Sequence, residues 1–193
     1  MLITFRGSMD FEQFVTEYNR RTVNYPDCGA ECQVVQMFYH DYNAQFQKDI
    51  NAKVVALIAK YPTATVMTTG HGLGGALAQI SALSLKHKLG SRKVESHTFG
   101  SPRPGNEPFS RYLHQQLDSL FRVVHAADLA PHLPVAYQGY HQPPYEVFFN
   151  EDMTEYQICD ESGEDTKCSD QYGPDWTYTD HYYYFGRVTH PNC

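Results

Sequence analysis

The chain has 193 residues, 41% of them apolar and 19% charged, which suits one folded domain with a buried core and argues against disorder. With 15 Lys and Arg against 22 Asp and Glu, the formal net charge is −7. No basic cluster offsets that balance, so a nucleic-acid partner, which needs a positive patch for phosphates, is not expected.

Residues 1–8, Met1-Leu-Ile-Thr-Phe-Arg-Gly-Ser8, lack the basic start and long apolar centre of a signal peptide. They predict a strand over Leu2–Phe5 followed by a turn. A strand that opens so abruptly predicts further sequence upstream, with Leu2–Phe5 left as an uncovered edge. Residues 9–20 are polar with spaced aromatics at Phe11, Phe14 and Tyr18. Phe38, Tyr42, Phe46, Ile50, Val54, Leu57 and Ile58 recur every three to four residues, which predicts an amphipathic helix ended by Tyr61-Pro62.

Residues 61–85 contain no Asp, Glu, Lys or Arg, as a membrane span would. Pro62, the threonines Thr63, Thr65, Thr68 and Thr69, and the glycines Gly70, Gly72, Gly74 and Gly75 point instead to a buried strand, a glycine turn and a buried helix. The strand is expected over 64–69, the turn over 70–75 and the helix over 76–89, closed by Gly90. A strand over 94–99, the loop Gly100-Ser-Pro-Arg-Pro-Gly-Asn106, a helix over 107–119, a strand over 121–125 and a last strand over 145–149 follow. This alternation predicts an α/β fold, a mostly parallel sheet with helices on both faces. In such sheets, sites gather at the carboxyl ends of the strands, where the turns at Ser8, Gly72 and Asp128 all fall.

Five cysteines are present, none in the Cys-x-x-Cys spacing of a structural zinc site. Two local disulfides, Cys28 with Cys32 and Cys159 with Cys168, plus an unpaired Cys193 is the preferred reading and implies an oxidising compartment; five reduced thiols is the alternative. The orphan Cys193 would find its partner in the upstream sequence. The grouping of His125, Asp128 and His132 is too weak to predict a metal, and no cofactor is expected.

Gly70-His-Gly-Leu-Gly-Gly75 fits the Gly-x-Gly-x-x-Gly dinucleotide fingerprint. That fold also needs an acid at the end of the next strand, and the only acid in Val94-Glu-Ser-His-Thr-Phe99 stands at its start. The same turn is one residue from Gly-x-Ser-x-Gly, the strand-to-helix elbow that presents a nucleophilic serine. Gly72 stands where the serine would be.

Here the chain resembles the fungal-type (class 3) lipases of the α/β-hydrolase fold. Gly70-His-Gly-Leu-Gly-Gly-Ala-Leu-Ala78 differs from their Gly-His-Ser-Leu-Gly-Gly-Ala-Leu-Ala only at position 72. Phe5-Arg-Gly-Ser8 is similar to their oxyanion strand and turn, and Phe99–Asn106 to their Phe-Gly-x-Pro-Arg-x-Gly-Asn loop. Asp128-Leu-Ala-Pro-His-Leu-Pro134 and Asp180-His181-x-x-Tyr-Phe185 resemble the segments that carry the catalytic acid and base. The resemblance runs from residue 1 to about 187, and only the region before the oxyanion strand is missing, so 1–193 is expected to be one domain incomplete at its amino terminus.

The resemblance implies ester hydrolysis with position 72 as nucleophile, Asp128 as acid and His181 as base, in the chain order of α/β-hydrolases. His132, His141 and His190 are weaker candidates for the base. Ser8 and Leu73 would form the oxyanion hole, and His71 would be a structural neighbour of the elbow. Met9, Phe11 and Phe14 fall in the family's lid. Cys159 and Cys168 match a disulfide loop of some relatives, and the acidic stretch between them, lacking calcium-loop spacing, is expected to be a solvated turn. The partner implied is a lipid or small ester, met at a lipid–water interface, and the compartment is extracellular; no oligomeric state is implied.

Glycine cannot be acylated. The chain is therefore expected to be inactive or nearly so, whether as a natural pseudoenzyme or as a serine-to-glycine trap of a working lipase. Ser81 and Ser84 lie too far along the following helix to substitute, and Thr68 and Thr69 precede the elbow. The alternative function is a catalytically dead lipid-binding or regulatory protein.

Overall fold

The computed structural model describes residues 1–8 and 21–189. The lid candidates Met9, Phe11 and Phe14, the weaker base candidate His190, and Cys193 lie outside the described residues.

Strand β1 (Leu2–Phe5) is followed by a small antiparallel hairpin, β2 (Thr22–Asn24) with β3 (Gln33–Val35), whose connection contains the Cys28–Cys32 disulfide. The expected amphipathic helix is divided. Helix α1 (Gln36–Asp41) passes through a π-helical turn (Tyr42–Phe46) into α2 (Gln47–Lys60). Phe38, Tyr42 and Val54 of the expected stripe are buried, whereas Leu57 is 41% exposed, so the apolar face reaches solvent near the helix end.

Strand β4 (Val66–His71) runs two residues further than expected, and helix α3 (Leu73–Leu89) begins three residues earlier. The glycine turn thus contracts to Gly72 alone. Helix α3 ends as expected at Gly90, in positive φ. Strand β5 (Val94–Phe99), helix α4 (Glu107–Gln116) and strand β6 (Ser119–His125) follow, then β7 (Glu146–Phe149) and β8 (Tyr156–Ile158). Helix α5 (Tyr178–His181) and the short pair β9 (Tyr183–Tyr184) and β10 (Arg187–Val188) close the described chain.

The main sheet has the order β1-β4-β5-β6-β7-β8, parallel except for the β7–β8 pair. Among the described residues, β1 stands at its edge. The register sets Phe5 beside Gly70, His71 beside Phe99, and Phe99 beside Val123, so the carboxyl ends of β1, β4, β5 and β6 share one rim.

The sheet advances in one direction, and right-handed crossovers then place successive helices on the same side. In the described residues α1, α2 and α4 all pack against α3, which packs on β4, β5 and β1. Strands β4 and β5 alternate accordingly: Val66, Thr68, Val94 and Ser96 are buried, and Met67, Thr69, Glu95 and His97 are half-buried. Helix α3 is buried almost all round, from Gly74 to Leu83, which accounts for a run without charge. No helix among the described residues is long and apolar enough to span a membrane.

The Cys159–Cys168 disulfide is formed, and the acidic loop it closes is not a solvated turn throughout. Glu164 accepts two hydrogen bonds from buried Arg103, at Nε (2.7 Å) and Nη2 (2.5 Å), and a third from the Gln142 N–H (2.8 Å). Buried Arg122 donates to the Gly163 carbonyl (3.1 Å). An unpaired buried guanidinium is costly, and this loop supplies the acceptors that two of them need.

Candidate active site

Between β4 and α3 the direction reverses at one residue, Gly72, with φ +55° and ψ −127°. Its N–H donates to the Phe99 carbonyl (3.0 Å), pinning the turn to the neighbouring strand. A Cβ on Gly72 would lie 3.0 Å from His181 Nε2 and 3.2 Å from Cε1. Any side chain at position 72 therefore starts out toward that imidazole nitrogen. A Cβ on Gly74 would meet the Phe5 carbonyl oxygen at 2.3 Å, so the elbow can press against β1 only with glycine there.

Leu73 is the first residue of α3, and its N–H is among those with no acceptor inside the helix. Ser8 follows β1 and lines a cavity of about 360 Å³ with Gly7, Gly70, His71 and Thr189. The two expected oxyanion donors thus flank the end of β4.

Asp128 lies just beyond β6, in a turn closed by its N–H on the His125 carbonyl (2.9 Å). His181 ends α5, whose cap is the Thr177 hydroxyl accepting from the Asp180 N–H (3.2 Å). The Asp180 carboxylate accepts from the Ala127 N–H (3.1 Å) and ties that helix to the Asp128 turn. His181 Nδ1 is 2.9 Å from Asp128 Oδ1 and 3.0 Å from Oδ2, and both residues are buried. With Nδ1 donating to the carboxylate, the Nε2 lone pair is left facing position 72.

Two further groups fill the remaining acceptor positions of Asp128. The Ala130 N–H donates to Oδ1 (2.8 Å) and the Tyr184 hydroxyl to Oδ2 (2.6 Å). Burial pushes the Asp128 carboxyl up, but the charge and hydrogen bond of His181, with those from Tyr184 and Ala130, outweigh it and hold it below the usual carboxylate range. Burial, and then the charge of Asp128, drives the Tyr184 phenol far above its ordinary value, so it remains a donor.

His71 Nε2 lies 2.8 Å from the His181 carbonyl, and the two rings stack with centroids 4.3 Å apart. Burial, then the His181 charge, lowers the His71 pKa to about 4, so its ring is neutral at pH 7. A neutral ring that bonds a carbonyl must carry its proton on Nε2, and it backs His181 from behind.

The structure thus brings together Gly72, Leu73, Asp128 and His181. The weaker base candidates are engaged elsewhere. His132 stacks flat on Trp176 at 4.1 Å with Nδ1 2.9 Å from Asp170, and His141 Nδ1 faces the Gln142 carbonyl. Both ring nitrogens of His125 face backbone carbonyls, those of Asp180 and Glu151. The potential metal ligands drawn close together among the described residues are Glu146, Cys159 and Cys168, but the two sulfurs form the disulfide.

Sequence reasoning gave Tyr184 and Gly100 a place in motifs but no role. Tyr184 is one of four consecutive aromatics, Tyr182–Phe185; the motif Asp180-His181-x-x-Tyr-Phe185 singles it out, but composition alone does not show that it turns inward. Gly100, at φ +54°, would with a Cβ approach Asp128 Oδ2 to 2.5 Å and His181 Nδ1 to 3.0 Å. Its signal was its place directly after β5 at the shared rim.

Residues 2–138 match the model of the family described as lipase (class 3). The lipase of Rhizomucor miehei is 31% identical over 188 residues, covering 95% of this chain and 51% of the relative. Secreted mono- and diacylglycerol lipase 1 of Fusarium solani is 31% identical over 169 residues, covering 83% and 49%. The chain spans about half the length of the curated relatives it matches. Among solved structures, lipase II from Rhizopus niveus superimposes with a TM-score of 0.93 at 27% identity, covering all of this chain and 73% of the other. The Rhizomucor miehei lipase–propeptide complex gives 0.91 at 30% identity, covering 97% and 61%. The chain, with an α/β-hydrolase sheet and helices, belongs to the class 3 lipase family.

Proposed function

We propose that this chain carries a site for hydrolysis of carboxylic esters of lipids, acylglycerols in particular, and that Gly72 leaves the site without its nucleophile. In this reading Asp128 orients His181, the Nε2 of His181 is the base, and the Leu73 and Ser8 N–H groups stabilise the oxyanion. A serine at 72 would give its Oγ proton to Nε2 as Oγ attacks the ester carbonyl, and His181 would return that proton to the departing alcohol. With glycine no acyl-enzyme forms, and loss of a triad nucleophile removes on the order of 10⁶-fold in rate in a studied hydrolase.

The observation that carries the reading is the 3.0 Å separation between a Cβ at position 72 and His181 Nε2. The names of the relatives, lipases and a mono- and diacylglycerol lipase, support the substrate class. Two disulfides and a relative named as secreted support an extracellular site of action. Phe185 and Val188, 50% and 57% exposed close after His181, support action at a lipid–water surface.

The test is turnover of a short-chain p-nitrophenyl ester by Gly72→Ser beside the unaltered chain. Turnover in the serine variant alone, lost again on adding His181→Ala, is expected. A folded Gly72→Ser protein that stays inert would overturn the reading. A second reading, a catalytically dead lipid-binding or regulatory protein, is favoured by the cavity beside Ser8 and His71. Calorimetric titration with a fatty acid tests it, and a flat titration removes it.

A further inference from the structure

The edge of the main sheet opposite β1 is β8, and all three of its residues are exposed, Tyr156 at 65% and Ile158 at 57%. We propose that β8 is a self-association edge, which pairs antiparallel with β8 of a second copy of this chain about a two-fold axis through Gln157.

The main chain of β8 leaves one side open. The Asn150 N–H donates to the Glu155 carbonyl (3.1 Å) and the Cys159 N–H to the Glu146 carbonyl (3.0 Å), in the register that sets Gln157 beside Phe148. Along an antiparallel ladder, successive residues direct their bonds to alternate sides. Glu155, Gln157 and Cys159 therefore turn their main-chain groups toward β7, and Tyr156 and Ile158 turn theirs outward. Among the described residues no strand pairs with that side. Edges are commonly guarded by lysine, proline or a bulge. Glu155-Tyr-Gln-Ile-Cys159 contains neither lysine nor proline, and its pairing with β7 runs without a bulge.

A lipid surface would cover the Tyr156 and Ile158 side chains but would offer the outward N–H groups no ladder of carbonyls, whereas another strand supplies both. The strand is complementary to itself. About an axis through Gln157, Tyr156 stands opposite Ile158 of the second copy as a hydrogen-bonded pair, and an aromatic facing a β-branched side chain stabilises such pairs. Gln157 meets its own copy, and Glu155 stands opposite Cys159, so no acid is set directly opposite an acid in a chain of formal charge −7. The two-fold contact is closed, so assembly stops at the dimer. With three residues a side the contact is smaller than a standard stable interface, so the dimer is weak.

The test is sedimentation velocity of the full chain from about 0.01 to 1 mM, in about 0.3 M NaCl to screen the charge of each copy. A monomer–dimer equilibrium with a dissociation constant of about 0.1 mM is expected. Ile158→Lys should remain monomeric throughout with an unchanged melting temperature, because the side chain it replaces is exposed. Leu2→Lys, at the exposed position of the opposite edge, should dimerise like the parent chain. The register has its own readout, which needs no disruptive charge. Residues facing each other in a non-hydrogen-bonded pair have Cα atoms about 4.5 Å apart, within the range a disulfide bridges, and diagonal neighbours are about 7–8 Å apart, beyond it. Under mild oxidation beside the parent chain, Gln157→Cys should cross-link two copies and Tyr156→Cys should not. A monomer at every concentration, a dimer undiminished by Ile158→Lys, a dimer lost in Leu2→Lys, or equal cross-linking at positions 156 and 157 would each overturn the proposal. Neither readout measures ester turnover, so the outcome is independent of the role given to Gly72.

Discussion

At the scale of single residues, the candidate site is shaped by what glycine permits. Gly72 has a backbone that costs an ordinary residue about 1–3 kcal/mol, so the serine expected by family resemblance would have to be held there under strain. Gly100 makes a second demand. Its φ of +54° is unfavourable for other residues, and a Cβ there would sit 2.5 Å from Asp128 Oδ2 and 3.0 Å from the Tyr184 hydroxyl. Those atoms hold each other through a 2.6 Å hydrogen bond, so neither can retreat alone. Gly100→Ala is therefore expected to lower stability by about 2–4 kcal/mol, strain and overpacking together. In a Gly72→Ser background it should also abolish ester turnover. Equal urea midpoints for Gly100→Ala and the parent chain would show that Asp128, His181 and Tyr184 are not packed as tightly as described.

At the scale of elements, the strands of the main sheet from β1 to β7 and the charge-free helix α3 are legible in the sequence, even the four-residue β1, whereas the small hairpin outside that sheet is not. Strand β5 was read to the residue, and β4 and α3 were displaced by only two or three. The difference comes from assigning all of Gly70–Gly75 to a turn, when close packing, and not chain flexibility, requires several of those glycines: Gly74 against the end of β1, Gly70 against the first turn of α3 and Gly75 against Ser101. The β2–β3 hairpin has three-residue strands and no alternating pattern, so only its partners reveal it. One of those partners is Asn106, visible in the sequence as a loop residue but not as a junction. Its Oδ1 accepts from the Phe109 N–H (3.1 Å), capping α4, and from the Gln33 N–H (3.0 Å) at the start of β3. Its Nδ2 donates to the Glu31 carbonyl (2.8 Å). A helix cap alone contributes about 0.5–2 kcal/mol. Asn106→Ala removes two further bonds, so a loss of about 2–3 kcal/mol is expected in chemical denaturation. A loss below about 1 kcal/mol would mean that water replaces this side chain fully at both elements.

At the scale of the molecule, buried ionisable groups set how stability responds to acid. Asp128 is held below the usual carboxylate range, so protonating it weakens the fold only in stronger acid. His71 acts earlier. Its pKa is about 4 in the folded chain against 6.5 for a free side chain, because burial and the neighbouring His181 oppose its charge. Between those values the unfolded chain binds a proton that the folded chain does not, so stability rises with pH across that window. The contribution is fully present above pH 6.5 and is lost as pH falls toward 4, amounting to about 3 kcal/mol at about 1.4 kcal/mol per unit. His114, also lowered by burial, acts in the same direction, while Asp41, raised by burial, acts in the opposite one. Urea unfolding followed from about pH 7 down to about pH 4 should therefore show the parent chain losing stability steadily. His71→Gln, which keeps an N–H donor near the His181 carbonyl but cannot be charged, should be less stable at neutral pH and nearly level across the window. A slope unchanged by that substitution would place the acid sensitivity in other groups and remove His71 as the neutral support behind His181.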